Sequence, residues 1–257
     1  MLRIVLWIVA GIGSIALTAL AFLPATWMAA IVETQTAGRL ILGDAQGTLW
    51  RGSAFIGGAA GSLYPVTPLL PGRFSWRLSP AVLLGSVDAE LNNPEALSQP
   101  VLVSGGWQEW QVSPAALSLP AERLAALGAP LNTLQPSGRM RLSWMPLQLA
   151  RHDGTLEITG SMNLEILGLA SRMSPVKPLG DYNLALDWQG RQATATLKTV
   201  SGPMLLAGSG VLDNGHMQFS GTAQAEAGQE ARLANFLNLL GQRRRDGDRE
   251  IIALEFK

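Results

Sequence analysis

The sequence predicts a mainly β protein: an N-terminal transmembrane helix followed by a long curved antiparallel β-sheet, wound as a meander, with two short helices. Three observations carry this prediction. An uncharged apolar run opens the chain, stripes of period two fill most of the remainder, and glycine-bearing tight turns separate the stripes.

The opening run covers residues 4–23, bounded by Ile4 and Leu23, and its only polar members are Ser14 and Thr18. About 20 such residues cross ~30 Å of hydrocarbon as a helix. Arg3 precedes the run; the next charge is Glu33 and the next basic residue is Arg39. The positive-inside rule then keeps residues 1–3 in the cytoplasm and translocates the rest. Pro24 ends the helix, and Trp27 suits the membrane–water interface. A cleavable signal peptide is the rival reading, because Ala19-Leu20-Ala21 offers small residues to a peptidase. The apolar run outlasts the ~7–15 residues of a typical leader core, which favours retention. On either reading residues 24–257 form an extracytoplasmic β-rich domain.

Residues 155–166 show the strand pattern best. Leu156, Ile158, Met162, Leu164 and Ile166 fall on one face, and Thr155, Glu157, Thr159, Ser161, Asn163 and Glu165 on the other. Gly160 interrupts the stripe and marks a bulge or bend. Shorter stripes are Phe74-Trp76-Leu78, Met140-Leu142-Trp144 and Tyr182-Leu184-Leu186-Trp188. The turns His152-Asp153-Gly154 and Asp213-Asn214-Gly215 supply the positive φ of tight hairpins. Gln189-Gly190 joins residues 181–188 to residues 193–200 in the same manner. Short turns between strands require an antiparallel meander, not βαβ units.

Two helices are expected. Residues 120–127 begin with Pro120, carry Leu124 and Leu127 on one side, and stop at Gly128. Leu233, Phe236, Leu237 and Leu240 form an amphipathic stripe that ends at Gly241. Residues 250–256 alternate again and rejoin the sheet. A polar stretch at 132–137, flanked by Pro130 and Pro136, is a possible seam between two lobes; a single continuous sheet is the alternative. Short phrases recur without a fixed period, which argues against a solenoid.

The chemistry points away from catalysis. Only 15% of residues are charged, against roughly 25% in an average soluble domain. The net charge is +0, so no nucleic-acid partner is expected. There are no cysteines, which excludes disulfides, thiolate metal sites and cysteine nucleophiles. His152 and His216 both sit at hairpin turns, where solvated polar residues are ordinary. No carboxylate cluster has ligand spacing, and no nucleophile elbow or phosphate loop occurs. No catalytic residue and no cofactor are therefore expected. Arg243-Arg244-Arg245, followed by Asp246, Asp248 and Glu250, reads as a solvated loop, with contact to anionic lipid or an acidic partner as the alternative. Trp50, Trp107, Trp110 and Trp144 read as strand residues in the core, with any exposed subset marking a binding surface.

The segment Gly47-Thr48-Leu49-Trp50-Arg51-Gly52 resembles the short strand signature of the type II secretion system protein N family. Further pieces agree in the same order: the N-terminal anchor, Phe74-Ser75-Trp76-Arg77-Leu78, Pro136-Ser137-Gly138-Arg139-Met140-Arg141-Leu142, and the Gly-rich alternating residues 205–221. The helix at 233–240 and the closing strand complete the set. The resemblance implies an accessory inner-membrane component of the Gram-negative machinery that exports folded proteins, in contact with its other inner-membrane subunits. It also implies kinship with the AsmA-like group of membrane-anchored β-sheet proteins linked to lipid traffic. A lipid-binding β-groove is accordingly the alternative function, with lipid as a partner. The signature itself reads as a strand entering a sheet, with Leu49 and Arg51 on one face and Trp50 on the other.

Overall fold

The computed structural model describes residues 2–36, 40–58, 67–68, 70–123, 131–152, 154–213, 216–246 and 249–256; for residues 2, 5, 9, 58, 67, 68, 131, 132, 242, 245, 246, 249, 250 and 256 it describes the backbone only. In chain order the elements are α1 (Leu2–Ala21), α2 (Thr26–Gln35), β1 (Leu40–Gly47), β2 (Arg51–Gly58), β3 (Thr67–Pro68) and β4 (Phe74–Leu78). A 3-10 turn (Pro80–Leu84) leads to β5 (Ser86–Asn92), β6 (Val101–Gly106), β7 (Glu109–Val112), β8 (Ala115–Pro120) and α3 (Leu131–Leu134). Then come β9 (Pro136–Trp144), β10 (Leu147–His152), β11 (Thr155–Ser171), β12 (Gly180–Gly190), β13 (Gln192–Ser201), β14 (Met204–Asp213) and β15 (His216–Ala225). The chain closes with α4 (Glu230–Leu240), β16 (Gln242–Asp246) and β17 (Arg249–Phe256).

The strands make one 17-stranded sheet in which every pairing is antiparallel. Pairing runs from β1 through β2, β4, β5 and β6 to a bent ribbon of β7 and β8. That ribbon pairs with a second, formed by β10 and β9. β11 follows, then β12 to β15 in order, and last β17 and β16. Only the final pair breaks the meander. The polar stretch at 132–137 runs directly into β9, which pairs with β8 on one side and β11 on the other.

Period two puts one continuous apolar face on this sheet. Met162, Leu164 and Ile166 lie opposite Leu186, Leu184 and Tyr182, and these lie opposite Ala195, Leu197 and Thr199. At one end α4 covers that face. Leu233, Phe236 and Leu237 pack with Tyr182, Met204, Ala223, Ile252 and Leu254 in the buried core. Away from α4 the same face is only half-buried: Leu164, Leu184, Leu186 and Trp188 all keep partial exposure.

The two ends of the strands differ. At the near end lie the β1–β2 turn, the Pro80–Leu84 turn, the β6–β7 turn and the β10–β11 and β12–β13 hairpins. At the far end lie Pro120, Ser171, Gly180, Ser201 and α4.

Several expectations are met. β11, β12, β13, α4 and β17 stand where the periodicity put them, and Gly190 turns between β12 and β13. Gly160 marks a bend: a Cβ there meets Leu147 Cδ2 at 2.7 Å, where β9 gives way to β10. The loop read at Arg243-Arg244-Arg245 is instead strand β16, because its backbone pairs with β17 whatever the side-chain charge. Pro120 ends strand β8 and Ala121 to Arg123 form one 3-10 turn; residues 124–130, on which the rest of the helix expected at 120–127 falls, lie outside the described set. Asp153, Asn214 and Gly215 lie outside it too. Helices α2 and α3 are described in addition to the expected α1 and α4.

The first helix forms as expected and stops two residues early, at Ala21. Among the described residues, no helix is long and apolar enough to cross a membrane. The transmembrane character read from the sequence is thus without support from the fold.

Candidate functional site

Of the Gly47–Gly52 signature, Gly47 ends β1, Arg51 and Gly52 open β2, and Thr48 to Trp50 form the turn between them, which receives the N-terminal helix. Thr48 N donates to Arg51 O at 2.8 Å, and Arg51 N donates to Thr48 Oγ1 at 3.1 Å. These bonds close a tight loop with Leu49 and Trp50 at its tip. The loop needs both glycines. Gly47 has φ +90, and a Cβ there lies 2.5 Å from Arg51 O; a Cβ on Gly52 lies 2.4 Å from the Trp76 ring. The expected alternation of Leu49, Trp50 and Arg51 is not met, because Leu49 and Trp50 stand in the turn and only Arg51 is in a strand.

The tip reaches the end of α1. Trp50 Nε1 donates to Leu20 O at 2.7 Å. Leu49 N donates to Leu23 O at 2.7 Å, and Ala25 N donates to Gly47 O at 3.1 Å. Pro24 and Thr48 form an antiparallel bridge. The last carbonyls of a helix lack regular intrahelical donors; Leu20 O takes the indole N–H beside a long 3.5 Å bond from Leu23 N, and Leu23 O takes the Leu49 amide. Trp50 is 8% exposed and Ala25 is 1% exposed, so the junction is desolvated. β4 holds the tip from the other side: Leu78 N donates to Trp50 O at 2.7 Å, and Trp76 Nε1 donates to Leu49 O at 3.0 Å. Each such bond contributes roughly 1 kcal/mol net.

Beside this junction a cleft is lined by Leu17, Leu20 and Ala21 of α1 together with Trp50, Arg51, Arg77, Leu78, Pro80, Asp88, Glu90 and Leu102. Farther along β1, Arg73 pairs with Asp44 at 2.9 Å and stacks over Phe55 at 4.7 Å. The Arg73 guanidinium, and next the Gln46 amide, hold the Asp44 carboxyl below its ordinary value. That latch fixes the bulge between Gly43 and Gln46.

The structure gathers part of what the sequence singled out. Leu23 and Trp50 meet at the junction. Arg3 and Ile4 stand at the opposite end of α1, exposed and away from the sheet, and Trp27 lies on α2 at 57% exposure. Of the four tryptophans read as strand residues, Trp110 and Trp144 are in strands, whereas Trp50 and Trp107 are in turns. Ala25, Trp76 and Leu78 were missed as parts of the junction. Their signal was Gly47 and Gly52 bracketing four residues, the mark of a tight loop. His152 and His216 are exposed. Among the described residues, no group of His, Asp and Glu is arranged to hold a metal ion.

The family model described as type II secretion system (T2SS), protein N, matches residues 38–251. Neither the curated proteins nor the solved structures yield a match. The matched span includes the signature turn and all but the first two helices and the last residues of the sheet. It covers far more than half of the chain, which belongs to the type II secretion system protein N family, a family of secretion components.

Proposed function

We propose that the chain is an accessory inner-membrane component of the type II secretion system, without enzymatic activity, supporting export of folded proteins from the periplasm across the outer membrane. In this reading α1 spans the inner membrane with residues 1–3 in the cytoplasm, and residues 24–257 work in the periplasm against other inner-membrane subunits. The observation that carries it is the Gly47–Gly52 turn, inside the span the family model matches, bonding the end of α1. Such a turn makes sheet and helix one body. In α1, Ile4, Trp7, Ile12, Ile15 and Leu17 are 62–79% exposed around the helix, and Arg3 is its sole charge. An apolar helix left bare on all sides seeks lipid or a partner helix. The test is a deletion strain. Exoproteins should accumulate in the periplasm, with secretion restored by the intact chain and not by a chain lacking residues 2–21. Normal secretion in the deletion strain would overturn the role. Crosslinking from the periplasmic domain should capture other inner-membrane subunits of the system.

A second reading, an AsmA-like lipid-binding groove, has an observation of its own. The half-buried apolar face carries Trp188, whose indole N–H is buried without an acceptor. An unpaired buried donor is costly unless something pairs with it, and a lipid ester carbonyl on that face fits the need. Mass spectrometry of the purified full chain should then find bound lipid, reduced in Trp188→Phe. Lipid-free protein would exclude this reading.

A further inference from the structure

We infer that the near end of the sheet is a second membrane contact: the Leu83-Leu84 tip and Trp107 rest in the interfacial layer of the bilayer that holds α1. This rests on the proposed placement of α1 in the membrane.

The tip is built to stay out. Ser79 caps the Pro80–Leu84 turn, its Oγ accepting from Ala81 N, and Gly85 ends the turn at φ 94. Between those caps Leu83 is 50% exposed and Leu84 is 89% exposed, more than any other large apolar side chain among the described residues. Trp107, in the β6–β7 turn, is 60% exposed, and its Nε1 donates to Val82 O at 2.7 Å. The indole is therefore fastened to the same tip, so the three apolar side chains move as one group.

This group continues the apolar surface of the anchor. Pro80, the first residue of the turn, and Leu102, at 51% exposure, line the cleft that Leu17, Leu20 and Ala21 line from the α1 side. Phe22, just past the helix, is 72% exposed. A bilayer that takes α1 as far as Leu20 meets this end of the sheet next. Tryptophan prefers that interfacial depth, and exposed leucines gain from entering it. The charges around the cleft are balanced, Arg51 and Arg77 against Asp88 and Glu90, and Arg77 pairs with Glu90 at 3.7 Å. The contact is therefore apolar, and salt should leave it unchanged.

The chain contains no cysteine, so single labels are clean. Ile12→Cys, Leu84→Cys and Val200→Cys are made in the full chain, labelled with a polarity-sensitive fluorophore, and reconstituted in phosphatidylcholine vesicles carrying a nitroxide-lipid quencher. Val200 is also exposed, at 68%, but lies at the far end of β13. The labels at positions 12 and 84 should be quenched several-fold more than the label at 200, at low and high salt alike. Quenching at 12 without quenching at 84 overturns the second contact and leaves the anchor standing. No quenching at 12 overturns the anchor, and the second contact with it. Equal quenching at 84 and 200 means the sheet lies flat, which also overturns the inference.

Discussion

Trp50 places a large apolar ring in the desolvated corner between sheet and helix while its single polar atom meets the Leu20 carbonyl. These two contributions separate by substitution. Trp50→Phe keeps most of the ring and loses the bond, which should cost about 1 kcal/mol. Trp50→Ala adds a cavity and should cost about 3–5 kcal/mol. Both should speed protease cleavage between residues 20 and 26, Ala more than Phe; cleavage unchanged in Trp50→Ala would show that the turn does not hold the helix. Tyr182 makes a similar use of one polar atom. It is 1% exposed and donates from its hydroxyl to Met204 O at 2.9 Å. Burial first, and then the Asp181 charge, push its phenol well above the ordinary value. The neutral form is the one the fold holds, so its contribution is intact below the unfolded value near 10 and is lost as pH rises above that. Urea unfolding should show stability falling beyond about pH 10. Tyr182→Phe should remove that fall and cost roughly 1 kcal/mol at neutral pH.

The far-end strands share a defect that acts as a device. Register shifts occur between Leu167 and Ala170 against β9, between Ile166 and Leu169 against β12, and between Asp181 and Tyr182 against β13. Aligned bulges bend a sheet across several strands at once. Asp181 stitches them: it accepts from Gly168 N at 2.6 Å and from Ser201 Oγ at 2.9 Å. Those donors, Gly168 foremost, hold its carboxyl below the ordinary 3.8. A depressed carboxylate contributes stability above the unfolded value and loses it as pH falls through the folded one. Thermal unfolding should therefore decline below about pH 4, and Asp181→Asn should flatten that decline. α4, which covers the bent region, is legible from sequence because Leu233, Phe236 and Leu237 keep a helical period. Leu233 is fully buried, and Leu233→Ala should cost about 2–5 kcal/mol in urea unfolding. The bulges were not legible, since each one-residue slip along β11 falls after Ile166, leaves its period-two stripe intact up to that point, and is revealed only by the partners.

A single open sheet of this length has two edges, and the molecule treats them differently. β1 is flanked by α2, which turns half-buried Met28, Ala29 and Val32 inward and keeps Trp27 and Ile31 exposed. α2 was not read from the sequence because its apolar residues mark no single buried face: Met28, Ala29 and Val32 are only half-buried, and Trp27 and Ile31 beside them stay exposed. The meander itself was legible, because strand period and turn glycines are local signals, whereas the junction at Trp50 joins residues 30 positions apart and is a property of the fold. At the other edge β16 pairs only with β17 among the described residues. Its basic run suggested a loop, yet strand edges carry charge because an unpaired edge invites a second chain. Arg243 is engaged, its Nε donating to Asn238 Oδ1 at 2.6 Å. Arg244 is exposed and is the residue to change. Arg244→Val raises strand propensity and removes the guarding charge, so sedimentation velocity should show association growing with concentration relative to the parent chain. Arg244→Lys keeps the charge and should behave as the parent does. If valine leaves the distribution unchanged, some other feature of the far-end corner protects this edge.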